Sequence, residues 1–193
     1  MTSSFEPIPF PDKKYQIIYA DPPWKYSSRE LQKYDGVRFT SIEKHYPVQD
    51  KGWIKNLPVR LIADDDCALF LWCTDAHLKE GIETIEAWGF KYITVAFVWE
   101  KLTNSGKTVA NLGAWTMKNC ELCLFGTRGS MLPYKQNNNI YQLVKAERTS
   151  HSHKPEEVYK RIELLFGDLS RIELFARQKT EGWDVWGNEV NND

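Results

Sequence analysis

The sequence predicts a single α/β domain built on a doubly wound, mostly parallel sheet. Three observations carry that prediction. Short apolar runs of strand length recur along the chain, amphipathic segments of helical period lie between them, and 193 residues suit one domain spanning 1–193. Residues 15–20 (YQIIYA) are continuously apolar, the pattern of a strand buried on both faces. Residues 67–73 (CALFLWC), 92–98, 121–125 and 171–176 (RIELFA) read the same way, and residues 184–186 add a short sixth strand. Between them, residues 74–88 open on Thr74 as a cap, place Leu78, Ile82 and Ile85 on one face and stop at Gly89. A second helix over 155–166 opens with Pro155, carries Val158, Ile162 and Leu165 as its apolar stripe and ends before Gly167. Long irregular segments, from Lys25 to about Asp50, from Thr103 to about Lys118 and over 126–152, interrupt the pattern. Loops of that length in a compact domain are characteristically functional or disordered.

Composition narrows the function classes. With 42% apolar and 13% aromatic residues the chain has the material for a packed core, which excludes a fibre or a disordered tail. No stretch approaches the roughly 20 consecutive apolar residues of a membrane-spanning helix, and residues 1–10 lack the order of a signal peptide, so a cytoplasmic protein is expected. Cys67, Cys73, Cys120 and Cys123 all lie in strand-like runs and read as buried thiols. Cys120 and Cys123 would point to opposite faces of one strand, so no metal site is expected.

The net charge of −1 conceals segregation along the chain. Residues 25–60 hold 8 basic and 4 acidic side chains and residues 128–161 hold 7 and 3, whereas 61–100 hold 2 and 8. Solvated loops and helix faces explain such runs; two basic segments flanking a chemical site would instead suit a polyanion.

The most informative motif is Asp21-Pro22-Pro23-Trp24, placed directly after the strand YQIIYA. Two prolines preset the backbone and hold an acid and an indole at the carboxyl end of a strand, where open α/β sheets bind ligands. An Asp-Pro turn followed by a core tryptophan is the plainer reading of the same letters.

Five blocks in order give the chain a family resemblance: YADPPW (19–24), LFLWC (69–73), CELCLFGTRG (120–129), HSHKPEEVY (151–159) and RIELFARQKTEGWDVWGNEV (171–190). Together they resemble the MT-A-seventy family of S-adenosylmethionine-dependent N6-adenine methyltransferases. The resemblance implies a Rossmann-like class I methyltransferase fold, with long loops on the substrate side. It also implies that Asp21, Pro22, Pro23 and Trp24 are the catalytic residues. The Asp21 carboxylate and Pro22 carbonyl would accept the two protons of the adenine amine, localising its lone pair, while Trp24 stacks on a base swung out of the helix. The cofactor the resemblance implies is S-adenosylmethionine, with S-adenosylhomocysteine as product and no metal. Its pocket would draw on Lys154 for the methionine carboxylate, Asp21 for the amine, and Glu173, Arg177, Asn188 and Glu189 for the nucleoside. Without the resemblance, Lys154 reads as a solvated charge before a helix and Asn188 as a turn residue.

The chain also departs from familiar patterns. No G-x-G-x-x-G follows any strand, and after Arg177 it has Gln178, Lys179 and Thr180, so further ribose contacts are not carried over. Residues 104–108 (NSGKT) imitate the end of a phosphate loop, but Lys101 stands where its first glycine is required.

The expectation is therefore an adenine-specific DNA methyltransferase of the bacterial or phage type. Its nucleic-acid contacts would come from the basic segments, among them Lys25, Tyr26, Arg29, Arg38 and Arg128. RNA adenosine is the alternative substrate, since stacking and backbone neutralisation serve either polymer. A reading from another class, a catalytically silent nucleic-acid-binding partner of another methyltransferase, is opposed by the intact Asp21 and Trp24. Eight tryptophans leave homodimerisation open.

Overall fold

The structure, a computed structural model, describes residues 9–24, 52–113, 115–148, 153–188 and 190. Among them seven strands form one sheet: β1 Tyr15–Ala20, β2 Ala63–Cys73, β3 Lys91–Leu102, β4 Cys120–Arg128, β5 Leu143–Glu147, β6 Arg171–Leu174 and β7 Asp184–Trp186. Their order across the sheet is β5-β3-β4-β2-β1-β6-β7. β2, β1, β6 and β7 run parallel, as do β3 and β5, and β4 runs antiparallel between β2 and β3. The mostly parallel α/β sheet is thus present, with one reversed strand.

Among the described residues three α-helices accompany the sheet: α1 Gly52–Asn56, α2 Leu78–Ala87 and α3 Glu156–Phe166. The apolar runs bury both faces because successive side chains of a strand point to opposite sides. On one face Ile18, Leu69, Leu71, Leu124 and Ile172 pack under α2 through Ile85. On the other, Ile17, Tyr19, Phe70, Trp72 and Trp99 pack under Val158, Ile162 and Phe166 of α3. α2 lies close against the sheet. A β-carbon on Gly81 would stand 2.9 Å from Leu124 Cδ1, and one on Gly126 2.7 Å from Ile85 Cγ2. α3 begins as predicted, with Pro155 in extended backbone at its cap and Glu156 and Glu157 in its first turn, where the helix dipole favours acids.

Several boundaries differ from the sequence reading. β5 lies inside the segment read as loop: it is an edge strand with one buried residue, Val144, so its apolar signal is weak. β2 starts at Ala63 and contains Asp64, Asp65 and Asp66, an acidic run that masks strand character. β6 stops at Leu174 because Phe175 takes a left-handed φ of 62°. That conformation is costly for a side chain with a Cβ. Phe175 holds it while buried edge-on against Trp53 and Trp186. The expectation of four buried thiols is corrected: Cys67, Cys73 and Cys123 are buried, but Cys120 is exposed as the first residue of β4. Among the described residues no helix is long and apolar enough to cross a membrane.

Candidate active site at the carboxyl end of β1

Asp21 follows the last residue of β1, flanked in the sheet by β2 on one side and β6 on the other. The chain order reverses there, the place where open α/β sheets form a ligand crevice. Pro22 is buried, and its carbonyl accepts a 2.9 Å hydrogen bond from the Trp24 N–H, a turn that the preset proline backbone favours. One lone pair of that carbonyl remains. The Trp24 indole Nε1–H donates to the Trp72 carbonyl on β2 at 2.8 Å. DPPW is therefore held at both ends, by the sheet at Asp21 and by β2 at Trp24.

Lys154, next to the proline that opens α3, reaches across to this turn. Its Nζ lies 2.6 Å from Asp21 Oδ2 and 3.3 Å from Glu121 Oε2 on β4, with only 7% of the side chain exposed. Glu121 also pairs with Lys101 at the end of β3. The ammonium stands 5.5 Å from the centre of the Trp72 ring, in cation–π range. Acid and base alternate along this buried chain, which offsets the cost of taking each charge from water. Burial pushes the Asp21 carboxyl up from its ordinary range, against the opposing pull of Lys154. Burial also acts on Glu121, but Lys154 and Lys101 outweigh it and hold that carboxyl low. Burial would lower the Lys154 ammonium; Asp21 and Glu121 overcome it and raise it instead. Lys154 is a cation shared by two carboxylates, not the solvated charge its position before a helix suggests.

Glu173 on β6 is in register with Tyr19 on β1 and faces the same side. The Trp72 Nε1–H donates to Tyr19 Oη at 2.7 Å, and the Tyr159 ring of α3 packs against the Tyr19 ring with centroids 4.7 Å apart. Burial raises the Glu173 carboxyl to about 7, against the opposing influence of the neighbouring Tyr159 and Thr180 hydroxyls. Its Oε2 is buried and has no hydrogen-bond partner among the described residues. A buried orphan acceptor is costly unless a donor arrives.

Arg177 stands three residues beyond β6, and its charge lowers the Asp21 carboxyl. Asn188 follows β7. Ala176 N–H donates to the Trp186 carbonyl at 3.0 Å, and a β-carbon on Gly187 would lie 2.3 Å from the Ala176 carbonyl oxygen. The turns carrying Arg177 and Asn188 thus adjoin. Asp21, Lys154, Glu173, Arg177 and Asn188, scattered in sequence, flank the same end of the sheet.

Arg128 is not brought to this end. It pairs in register with Cys67 near the start of β2, where its guanidinium donates to the Arg60 carbonyl at 3.2 Å and lies 3.9 Å from Asp65. Lys25, Tyr26, Arg29, Arg38 and Glu189 lie outside the described residues. Sequence reasoning missed Glu121, whose signal was a lone acid in an apolar strand, and the packing of Tyr159 and Trp72 on Tyr19, for which no local signal exists. Among the described residues no cluster of three or more His, Cys, Asp or Glu side chains could hold a metal ion.

A turn of acid, prolines and aromatic at the carboxyl end of β1, where the strand order reverses, is the kind of site at which α/β enzymes bind their ligands. The chain matches the MT-A70 family model over residues 15–189 and belongs to that family. It is similar to the type II methyltransferase M.MunI of Mycoplasma sp, 37% identical over 193 residues, covering 93% of this chain and 79% of that protein. It is also similar to the N(6)-adenosine-methyltransferase catalytic subunit METTL3 of Homo sapiens and to an MT-A70-like N(6)-adenosine-methyltransferase of Arabidopsis thaliana, at 28% and 27% identity. Each of these alignments covers 92% of this chain, but only 28% and 24% of those longer proteins.

Proposed function

We propose that this chain is an S-adenosylmethionine-dependent methyltransferase that modifies the exocyclic amine of adenine in DNA. The observation that carries the reading is the Asp21 carboxylate, held at the end of β1 by a buried lysine beside an immobilised tryptophan. DNA is favoured as substrate by the likeness to M.MunI, a type II methyltransferase, which extends along 79% of that protein's length.

The residues present fit the cofactor. Glu173 Oε2 is an acceptor awaiting a donor, which a ribose hydroxyl would provide. Lys154 would hold the methionine carboxylate, Asp21 the methionine amine, and Arg177, Asn188 and Glu189 would border the nucleoside. When bound, the cofactor supplies a methyl group activated on a sulfonium.

The protein's own part is orientation. An adenine amine is a weak nucleophile because its lone pair is delocalised into the ring. Lys154 engages Asp21 Oδ2, which leaves Oδ1 to accept one amine proton, while the free lone pair of the Pro22 carbonyl accepts the other. Both bonds strengthen as the nitrogen becomes tetrahedral and positive, so they favour the transition state over the ground state. Trp24 stacks on the extruded base. Alignment of this kind supplies up to about 7–11 kcal/mol of barrier reduction. The basic segment 25–60, which continues directly from Trp24 in the chain, would neutralise phosphates through Lys25, Arg29 and Arg38, with Tyr26 among the contacts.

A second reading, transfer to RNA adenosine, is favoured by the likeness to METTL3. Transfer of tritiated methyl from S-adenosylmethionine to unmethylated duplex DNA and to RNA, at one stated salt concentration, tests both. Label on DNA adenine supports the first reading, label on RNA alone supports the second, and none on either overturns both.

A further inference from the structure

Trp24 is restrained by more than its motif. Its indole N–H is bonded to the Trp72 carbonyl, and its ring stacks on the imidazole of His77, with centroids 5.8 Å apart and planes inclined by 21°. His77 is buried, only 5% exposed, at the end of the single 3-10 turn Asp75–His77 that joins β2 to α2. Three contacts fix that turn. The His77 N–H donates to the Thr74 carbonyl at 3.0 Å, its Nδ1 lies 2.9 Å from Thr74 Oγ1, and Asp75 forms an ion pair with Lys118 from the segment before β4.

An indole tethered by one hydrogen bond can pivot about it; a second contact across its face removes that freedom. We propose that His77 is a positioning residue, holding the Trp24 indole as a rigid platform against which the target adenine stacks. The inference rests on the reading of Trp24 as the base-stacking residue. The ring, not its hydrogen-bonding capacity, is what the role requires, because stacking contact depends on the plane of the indole. The restraint is set when the protein folds, so it is not charged to each encounter with substrate.

Two substitutions separate the ring from the hydrogen bond. His77→Phe keeps an aromatic face and loses the bond to Thr74; His77→Gln keeps a polar group and loses the ring. Steady-state methyl transfer to duplex DNA is measured for both, with calorimetric affinity for S-adenosylhomocysteine as a readout of folding and of the cofactor pocket. The Phe variant retains kcat/KM within about twofold, while the Gln variant loses roughly three- to tenfold, with affinity for S-adenosylhomocysteine unchanged in both. Should the Gln variant not fold, His77→Leu fills the space without a ring and serves in its place. Full activity of the ringless variant, loss in the Phe variant alone, or a matching loss of S-adenosylhomocysteine affinity overturns the assignment. A wild-type protein that methylates no nucleic acid instead overturns the proposed function, and is distinguishable because it appears before any substitution.

Discussion

Lys154 Nζ lies 2.6 Å from Asp21 Oδ2, although 133 residues separate the two in the chain. The lysine precedes α3, the aspartate ends β1, and α3 lies over the sheet face to which Asp21 and Glu121 turn. The pair joins the two parts of the candidate site, the turn that would meet the base and the segment that would meet the cofactor.

Removing that cation leaves two buried carboxylates facing each other. Breaking a buried pair in this way costs on the order of 3–5 kcal/mol, with the Lys101 contact to Glu121 reducing the loss. Lys154→Ala should lower the melting temperature and weaken S-adenosylmethionine and S-adenosylhomocysteine alike, since both keep the methionine carboxylate. Calorimetric titration checks this, and undiminished affinity for both ligands would remove Lys154 from the pocket.

Asp21→Ala should reduce methyl transfer by at least about a hundredfold, the scale on which a transition-state contact acts. Affinity for S-adenosylhomocysteine should fall only moderately, because Glu121 still holds Lys154. If binding is lost outright while the fold is kept, Asp21 serves the cofactor chiefly and the base little.

Glu173 should make stability depend on pH. Burial raises its carboxyl from 4.5 to about 7. Below the lower value it is neutral in both folded and unfolded chains and costs nothing. As pH rises between the two values the unfolded chain ionises first, so stability falls, and above about 7 the penalty is complete, roughly 3 kcal/mol at most. Glu173→Gln removes the term. Denaturant midpoints of the two proteins should converge near pH 4.5 and separate towards pH 8, with the variant the more stable; parallel curves would contradict the assignment.

Gly126→Ala tests the fold away from the site. The added β-carbon would meet Ile85 Cγ2 at 2.7 Å and the Lys91 carbonyl at 3.2 Å, so α2 must lift from the sheet. Overpacking of this kind costs typically about 1–3 kcal/mol. The urea midpoint should drop, while affinity for S-adenosylhomocysteine below the transition stays as in the wild type.

Much of the fold was legible because its central strands are buried on both faces. A run such as YQIIYA or CALFLWC has no polar alternation to confuse it, and Gly89 and Gly167 mark the ends of α2 and α3 with left-handed backbone. What escaped lies at the margins. β5 exposes most of its residues, and the start of β2 carries three aspartates, so neither has the periodicity that reports burial.

The sequence by itself determined the α/β class, the placement of an acid, two prolines and an indole at a strand's end, and the family to which the chain belongs. Those are local properties, set by composition, spacing and the order of the blocks. The tertiary structure alone decided that Lys154 is buried between Asp21 and Glu121, that Glu173 keeps an acceptor without a donor, that His77 backs Trp24, and that Arg128 stands at the other end of the sheet. Each of these depends on which strands become neighbours, and neighbours in a crossed-over sheet come from distant parts of the chain. No local pattern records such pairings, because burial and electrostatic partnership are properties of the packed sheet and not of any segment within it.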